Sequence, residues 1–485
     1  MINFKIIYKI LGSLLFLEAF MMLTCLGIAL YFGEEDTFAF LVSIVVTVLC
    51  GILLGYKGRN AENIMSRRDS YLVVTLTWTL FSLFGTIPFL VGGYLHSFTD
   101  AYFETMSGFT TTGATIIDDV EILPHGILFW RSLTHWIGGL GIVFFTIAVL
   151  PQVVGGSTKV FAAEATGPIK SKLSPRLSTS AKWIWLVYLF ITFGCMAGFM
   201  LFGMNWFEGI NYAMSTAATG GYSIYNDSIE HFHSLGMEYT ATFFCFISGV
   251  NFTLFYCAVA KQKVKSLWRD TEFRLYLALT ALFTGFIMME LIARNHYGLE
   301  HAFRSSLFSV VSFMTTTGLF NDDAGKWPHV TWVVLALCMM VGGCSGSTAG
   351  GMKCVRISML FKVLRNELRQ RLHPHAVLPL KIGGVNITYP QRVSLLAFFT
   401  AYLLLIFISA FVMIAAGIDN TNAITIAMSC IGNVGPTLGL EIGPTMSWSM
   451  LPDFAKWICT IMMLFGRLEI FSVIVCLTPS FWTKN

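Results

Sequence analysis

Four Thr/Gly-rich runs are the part of this chain whose residue types and spacing could do chemistry. Phe103–Thr115 reads FETMSGFTTTGAT, Ala213–Ser223 reads AMSTAATGGYS, Phe308–Phe320 reads FSVVSFMTTTGLF and Ala427–Thr437 reads AMSCIGNVGPT. Their glycines, Gly113, Gly220, Gly318 and Gly435, lie 107, 98 and 117 residues apart. Each run is a short amphipathic stretch that breaks at a turn between long apolar segments. Inside lipid, irregular backbone survives only where it is buried in protein or lines water. A half-length helix aims the negative end of its dipole at such a turn and favours a cation there. The extended residues beyond it can turn carbonyls toward an axis and replace a cation's hydration shell. Glycine supplies a backbone conformation that costs other residues about 1–2 kcal/mol.

Aligned on those glycines, one layer is Thr112, Thr219, Thr317 and Val434, and the next is Thr111, Ala218, Thr316 and Asn433. Neutral carbonyls and hydroxyls suit a monovalent cation, whereas a divalent site would call for carboxylates. Only Glu104 approaches a turn, and it falls inside the first short helix. One TTTG alone reads as an ordinary loop. Four copies at regular spacing read as an internal repeat of membrane units around one axis.

A second unusual stretch is GGCSGSTAGG, Gly342–Gly351, followed by Met352 and Lys353. Small and polar residues in mid-span cannot hold a straight helix. A phosphate loop is excluded because Met352 stands where that motif needs lysine. Close helix packing through small residues is the plain alternative. The preferred expectation is a flexible intramembrane loop acting as a gate, with Gly342, Gly343, Gly346, Ser347, Gly350 and Gly351 as its parts. Arg467, in FGRLEIF, sits within the last span, where an arginine costs on the order of 3 kcal/mol unless it faces water or a partner. In the pathway it would repel a cation; the alternatives are snorkelling or a buried salt bridge. Glu469 is expected on another side of that helix. His135 reads as a packed polar residue, and Arg131 and Glu290 as residues near span ends.

An enzyme is disfavoured. The histidines lie mostly in loops without metal-ligand spacing, and no Ser/Cys–base arrangement appears. The 11 cysteines contain no CxxC pair and read as buried thiols. NFT at Asn251 and NIT at Asn386 match sequons but fall within a span and on the inner side.

The elements that position these residues follow from composition. The apolar fraction is 55%, only 12% of residues are charged and mean hydropathy is +0.69. That much apolar surface exceeds what a soluble core can hide, so the chain is an all-α polytopic membrane protein. The apolar run from Ile10 to Phe32 is too long for a signal-peptide core and reads as a retained first span. With Phe38–Tyr56 it forms a hairpin outside the repeat. Each repeat then has a span, a short re-entrant helix with its turn, and a second span. The second spans are expected near Ile127–Leu150, Tyr239–Ala260, Val330–Leu364 and Met446–Leu477, with an interruption only in the third. This gives ten full spans and four half-spans. The expected units are 1–69, 70–160, 161–265, 266–375 and 376–485.

Loop charges test the count. The proposed inner segments hold 25 of the 31 Lys and Arg residues, and the outer ones carry Glu34, Glu35, Asp36, Asp118, Asp119, Glu121, Asp227, Glu230, Glu238, Asp322 and Asp323. Both termini come out cytoplasmic. The basic residues sit in short loops, so the net charge of +4 gives no argument for nucleic acid. Two inner loops are long: the polar Pro151–Lys182, and Lys353–Arg392, which starts as the basic helical FKVLRNELRQRLHPH and ends in the strand-like KIGGVNITYP. They fix topology; docking of a soluble partner or anionic lipid is the other reading.

Together SGFTTTGAT, HWIGGLG (His135–Gly141), STAATGGYS, GGCSGSTAGG with Met-Lys, GNVGP and FGRLE resemble the Trk/Ktr/HKT superfamily of potassium transporters. The N-terminal hairpin and the length are similar to its Trk-type bacterial membrane subunit rather than the shorter Ktr type. The resemblance implies K⁺ uptake across a bacterial inner membrane through four M1–P–M2 repeats, with K⁺ as the transported ion. It implies a homodimer and a cytosolic nucleotide-binding regulatory subunit of the RCK type. It also implies that Gly342–Gly351 and Arg467 are gate elements. Thr437 departs from relatives, which often place glycine there, and this bears on K⁺ against Na⁺ selectivity. The alternative function is an H⁺- or Na⁺-coupled K⁺ symporter, although no chain of intramembrane carboxylates is evident for a proton relay.

Overall fold

The computed structural model describes residues 2–62, 65–141, 177–259, 265–376, 378–382 and 385–483. Residues 142–150 of the first repeat's second span lie outside the described residues. So do most of the Pro151–Lys182 loop, the 160/161 boundary, and Lys261, Lys263 and Lys484.

Two antiparallel helices, Phe4–Phe32 and Thr37–Gly58, form the N-terminal hairpin. Small residues let them approach closely: a Cβ at Gly12 would sit 2.8 Å from the carbonyl oxygen of Gly51 and from the nitrogen of Gly55. Four lead helices follow, Arg67–Gly85, Leu177–Leu201, Thr271–Asn295 and Tyr389–Ala415. The first begins inside the expected hairpin unit, because Ser66 and Asp69 form a capping box there. After each lead helix comes a short helix: Phe98–Phe109, Trp206–Ala218, Leu299–Met314 and Asn420–Gly432. The core faces of the short helices are almost fully buried, as re-entrant elements must be.

The closing helices depart from expectation. The interruption is not confined to the third repeat. In the second, Leu235–Ser248 bends by 94° into the next helix around Gly249–Asn251. In the fourth, Asp453–Arg467 bends by 117° into Phe471–Leu477, through Glu469 and Ile470, both with φ near +55°. That helix also starts at Asp453, after Pro452, rather than at Met446. In the third, His329–Val341 and Cys354–Leu372 flank the glycine-rich loop. In the first, His125–Leu140 stops at Gly141, with φ +82°. The hydropathy of these segments concealed the breaks, since a bent apolar span has the composition of a straight one. Six single helices and two bent pairs among the described residues are long and apolar enough to cross a membrane, where ten full spans were expected. The strand-like stretch forms a small antiparallel hairpin, Lys381 opposite Asn386 and Ile382 opposite Val385.

One end of the bundle gathers both termini. Asn3 N donates to Asp69 Oδ1 at 2.9 Å, and Arg68 donates to the carbonyl of Thr483 at 2.7 Å. At the other end the loops interlock: Trp448 N donates to Thr115 O at 2.8 Å, and Ile229 N to Phe320 O at 3.2 Å.

Candidate functional site

The four turns share one backbone design. Each short helix ends in a residue forced into the left-handed region: Thr111 (φ 54°), Thr219 (55°), Thr316 (57°) and Asn433 (52°). The next amide closes the helix end by donating five residues back. These bonds are Thr112 N to Ser107 O at 2.9 Å, Gly220 N to Ser215 O at 3.0 Å, Thr317 N to Ser312 O at 2.8 Å and Val434 N to Ser429 O at 3.0 Å. One residue further, a glycine again takes positive φ: Gly113 (81°), Gly221 (89°), Gly318 (79°) and Gly435 (96°). The same pair of left-handed residues, one residue apart, thus recurs in all four turns.

This corrects the expected register of the second copy. The equivalent triplet is Thr219, Gly220 and Gly221, not Ala218, Thr219 and Gly220. Ala218 is the last residue of its helix. Aligning on the first glycine of a Gly-Gly pair displaced the copy by one, because the first glycine occupies the place threonine or valine holds elsewhere. The other nine expected positions occupy equivalent places in their turns.

The turns meet one another in a closed cycle. A Cβ on Gly113 would collide with the carbonyl oxygen of Gly220, one on Gly221 with that of Thr317, one on Gly318 with that of Val434, and one on Gly435 with that of Thr112. Each left-handed glycine therefore abuts the central carbonyl of the next repeat, and the fourth abuts the first. The central residues Thr112, Gly220, Thr317 and Val434 line up as one layer. All four left-handed glycines border a pocket of about 100 Å³, whose rim includes Asp118, Asn226 and Trp448. Thr437, two residues past the last of these glycines, is buried and donates to the carbonyl of Ile442 at 2.5 Å, which pins the loop after the fourth turn.

His135 is fully buried, as its packed reading required. Its Nδ1 is 2.7 Å from Gly108 O, so that nitrogen carries the proton, and its ring stacks on Tyr222 at 4.0 Å. Glu104 lies within the short helix, as expected. Arg131 lies in the second turn of its closing helix, near the span's start as expected, but it is 2% exposed and pairs with Glu104 at 2.9 Å. Sequence reasoning missed that pair because 27 residues separate its members. Glu290 lies in the last turns of its lead helix, ion-paired with Arg294 at 2.8 Å.

The glycine-rich loop runs beneath the ring and touches several repeats. Gly350 N donates to Thr316 Oγ1 at 2.7 Å, and Gly351 N to Gly432 O at 2.9 Å. Thr348 Oγ1 donates to Ala217 O at 3.1 Å, and Cys344 N to Gly249 O at 2.8 Å. A Cβ on Gly350 would collide with Gly432 O, so the loop backbone lies directly against the fourth short helix. Gly342, Gly346 and Gly351 take positive φ, and Gly343 and Ser347 complete the bends. Arg467 donates to Thr348 O at 3.1 Å and to the carbonyls of Gly138 and Gly139, joining the loop to the end of the first repeat's closing helix.

Two carboxylates, Glu272 and Glu469, hold this assembly from below, and the sequence had not marked the first. Glu272 accepts from Ser345 N at 2.6 Å, Ser345 Oγ at 2.7 Å and Val355 N at 3.0 Å, so one side chain ties the loop to the first turn of the helix that follows it. Glu469, expected on a different side of its helix from Arg467, pairs with Arg356 at 2.5 Å. Among the described residues no group of His, Cys, Asp and Glu is arranged to hold a metal ion.

Four channel-like repeats closed on one axis, each contributing the same double-left-handed turn, define a polytopic membrane protein with a single central pore. The chain belongs to the TrkH family, described as cation transport proteins, which matches residues 36–484. It is 37% identical over 484 residues to the Trk system potassium uptake protein TrkH of Halomonas elongata, covering 99% of this chain and 100% of that one. It is 35% identical to TrkG of Escherichia coli K12 over 99% of this chain and 98% of that protein. The crystal structure of the potassium transporter TrkH from Vibrio parahaemolyticus superposes with a TM-score of 0.89 at 35% identity, covering 99% of this chain and 100% of that one.

Proposed function

We propose that this chain takes up K⁺ across a bacterial inner membrane through the four-turn ring. The carbonyl layer of Thr112, Gly220, Thr317 and Val434, with its neighbours Thr111, Gly113, Thr219, Gly221, Thr316, Gly318, Asn433 and Gly435, replaces the ion's water shell. A ring of neutral oxygens suits a monovalent ion, and the relatives named as potassium uptake proteins favour K⁺. The observation that carries the reading is the cyclic abutment of each turn glycine on the next repeat's carbonyl, which requires a common centre.

Gly342–Gly351 and Arg467 act as the gate below that ring. The loop's contacts with the ends of short helices from three repeats support this role, and so does the guanidinium on its Thr348 carbonyl. Both termini face the cytoplasm, on the side where Lys and Arg cluster. The chain works as a homodimer, and a cytosolic RCK-type nucleotide-binding subunit acts through the basic helix Cys354–Leu372 that leaves the loop directly. The unit boundaries are Ser66 for the end of the hairpin and the inter-helix loops for the repeats.

Flux through purified protein in liposomes tests this. With the potential clamped, K⁺ should pass much faster than Na⁺, at a rate that does not follow an imposed pH gradient. Equal rates for the two ions would refute the ring; a strict dependence on the pH gradient would establish the coupled symporter instead.

A further inference from the structure

The buried Glu104–Arg131 pair stands immediately behind the first two turns. Glu104 accepts from Arg131 Nε at 2.9 Å, from Thr115 Oγ1 at 3.0 Å and from Ile116 N at 3.1 Å. Arg131 reaches across to the second repeat, donating to Ser223 O at 3.0 Å, and its guanidinium lies 4.1 Å from the centre of the Tyr222 ring. Tyr222 closes the circuit by donating its hydroxyl to Glu104 O at 2.7 Å. Arg131 also borders the pocket that the four turn glycines share.

The fold does not need charge at these places. Counting back seven residues from the left-handed residue of each turn gives Glu104, Tyr212, Ser309 and Ile426, all buried. Gly138 and Gly466 abut the carbonyls of Phe109 and Ile431 in the same way, and seven residues before them stand Arg131 and the buried Cys459. A tyrosine, a serine, an isoleucine and a cysteine thus serve where the first repeat places an ion pair. Burying two charges costs desolvation that an apolar pair would avoid.

We infer that Glu104 and Arg131 are specificity-determining positioning residues: as a pair with no net charge they staple the outer exits of the first and second turns together without adding a field at the mouth. Removing either partner alone would leave a full charge beside the path of a cation. Removing both would restore neutrality but leave the two exits untied. This inference rests on the pathway proposed above.

The test is K⁺ and Na⁺ flux through purified protein in liposomes, with folding checked by size-exclusion profile and thermal melting. Glu104→Gln leaves Arg131 unpaired, and K⁺ flux should fall about tenfold. In Glu104→Gln/Arg131→Gln, flux should recover to within about threefold of wild type while the K⁺:Na⁺ ratio stays about fivefold lower, the worth of one lost hydrogen-bonded tie. Tyr222→Phe, which loses only a hydroxyl and should fold normally, should lower the ratio by about two- to threefold. A folded double variant with the wild-type ratio would overturn the inference while leaving the pathway intact. Should that variant fail to fold, an unchanged ratio in Tyr222→Phe would overturn it. A wild type that passes neither ion would instead overturn the pathway reading, and this inference with it.

Discussion

Gly113→Ala puts the ring geometry under a direct test. Gly113 has φ +81°, where a Cβ costs about 1–2 kcal/mol from the backbone alone. The added methyl would also run into the carbonyl oxygen of Gly220, a backbone atom that cannot swing aside as a side chain could. The cheapest relief is a local shift of the second turn, since that displaces one oxygen and leaves the surrounding helices packed. The energy the turn can spend on shifting is bounded by the same 1–2 kcal/mol, which corresponds to roughly five- to thirtyfold in a K⁺:Na⁺ ratio. The loss should fall on K⁺, because a displaced oxygen no longer completes the shell of the larger ion. The assay is paired K⁺ and Na⁺ flux in liposomes, with Gly285→Ala as control: a Cβ there meets nothing within 4 Å. Gly285→Ala should keep the wild-type ratio. A folded Gly113→Ala protein with that same ratio would refute the argument that these glycines set the positions of the central carbonyls.

The register of the second turn makes a parallel prediction: Gly221→Ala should lower the ratio as Gly113→Ala does, since its Cβ meets Thr317 O, and the same flux measurement checks it. Deleting Gly346–Gly350 should raise unstimulated flux and blunt its response to cytosolic extract; low, regulated flux would remove the gate assignment. Glu469→Gln leaves Arg356 without its carboxylate and should likewise raise unstimulated flux, whereas Arg356→Glu/Glu469→Arg should bring it back down. At the rim, Asp118 is held below the usual carboxylate range by hydrogen bonds from the Ser447 and Ser449 hydroxyls. A depressed carboxyl pKa contributes stability that is present above the unfolded value of about 3.9 and lost as pH falls through the lower folded value. Titration of Asp118 should therefore leave thermal stability unchanged from pH 7 to pH 5, measured against Asp118→Asn.

How much of this was legible in the sequence depends on the range of the interaction. The repeat was legible because turn chemistry is local: a threonine run and a glycine after a short apolar helix look the same in every copy. The single slip, at Gly220-Gly221, came where two adjacent glycines offered equal anchors and only the backbone angles decide between them. Glu104–Arg131, Arg356–Glu469 and Glu272 with Ser345 and Val355 were illegible for the opposite reason. Their members are brought together only by the packing of different helices, and nothing about a lone glutamate in a lead helix announces its partner.

The broken closing helices take that argument one step further. A single interruption, in the third repeat, was visible as a run of glycine and serine. The fourth repeat bends through Glu469 and Ile470, and a β-branched residue at φ +58° is a conformation no propensity would select. Such a residue persists only where its surroundings hold it. Here those surroundings are the Arg356–Glu469 pair on one side and Arg467 on the carbonyls of Thr348, Gly138 and Gly139 on the other. The strained bend and the glycine-rich loop are thus tied to each other through adjacent residues. A movement of the basic helix Cys354–Leu372 would pull on Arg356, hence on Glu469, and so on the neighbour of the arginine that grips the loop. Through these contacts, a change that frees either break should free both.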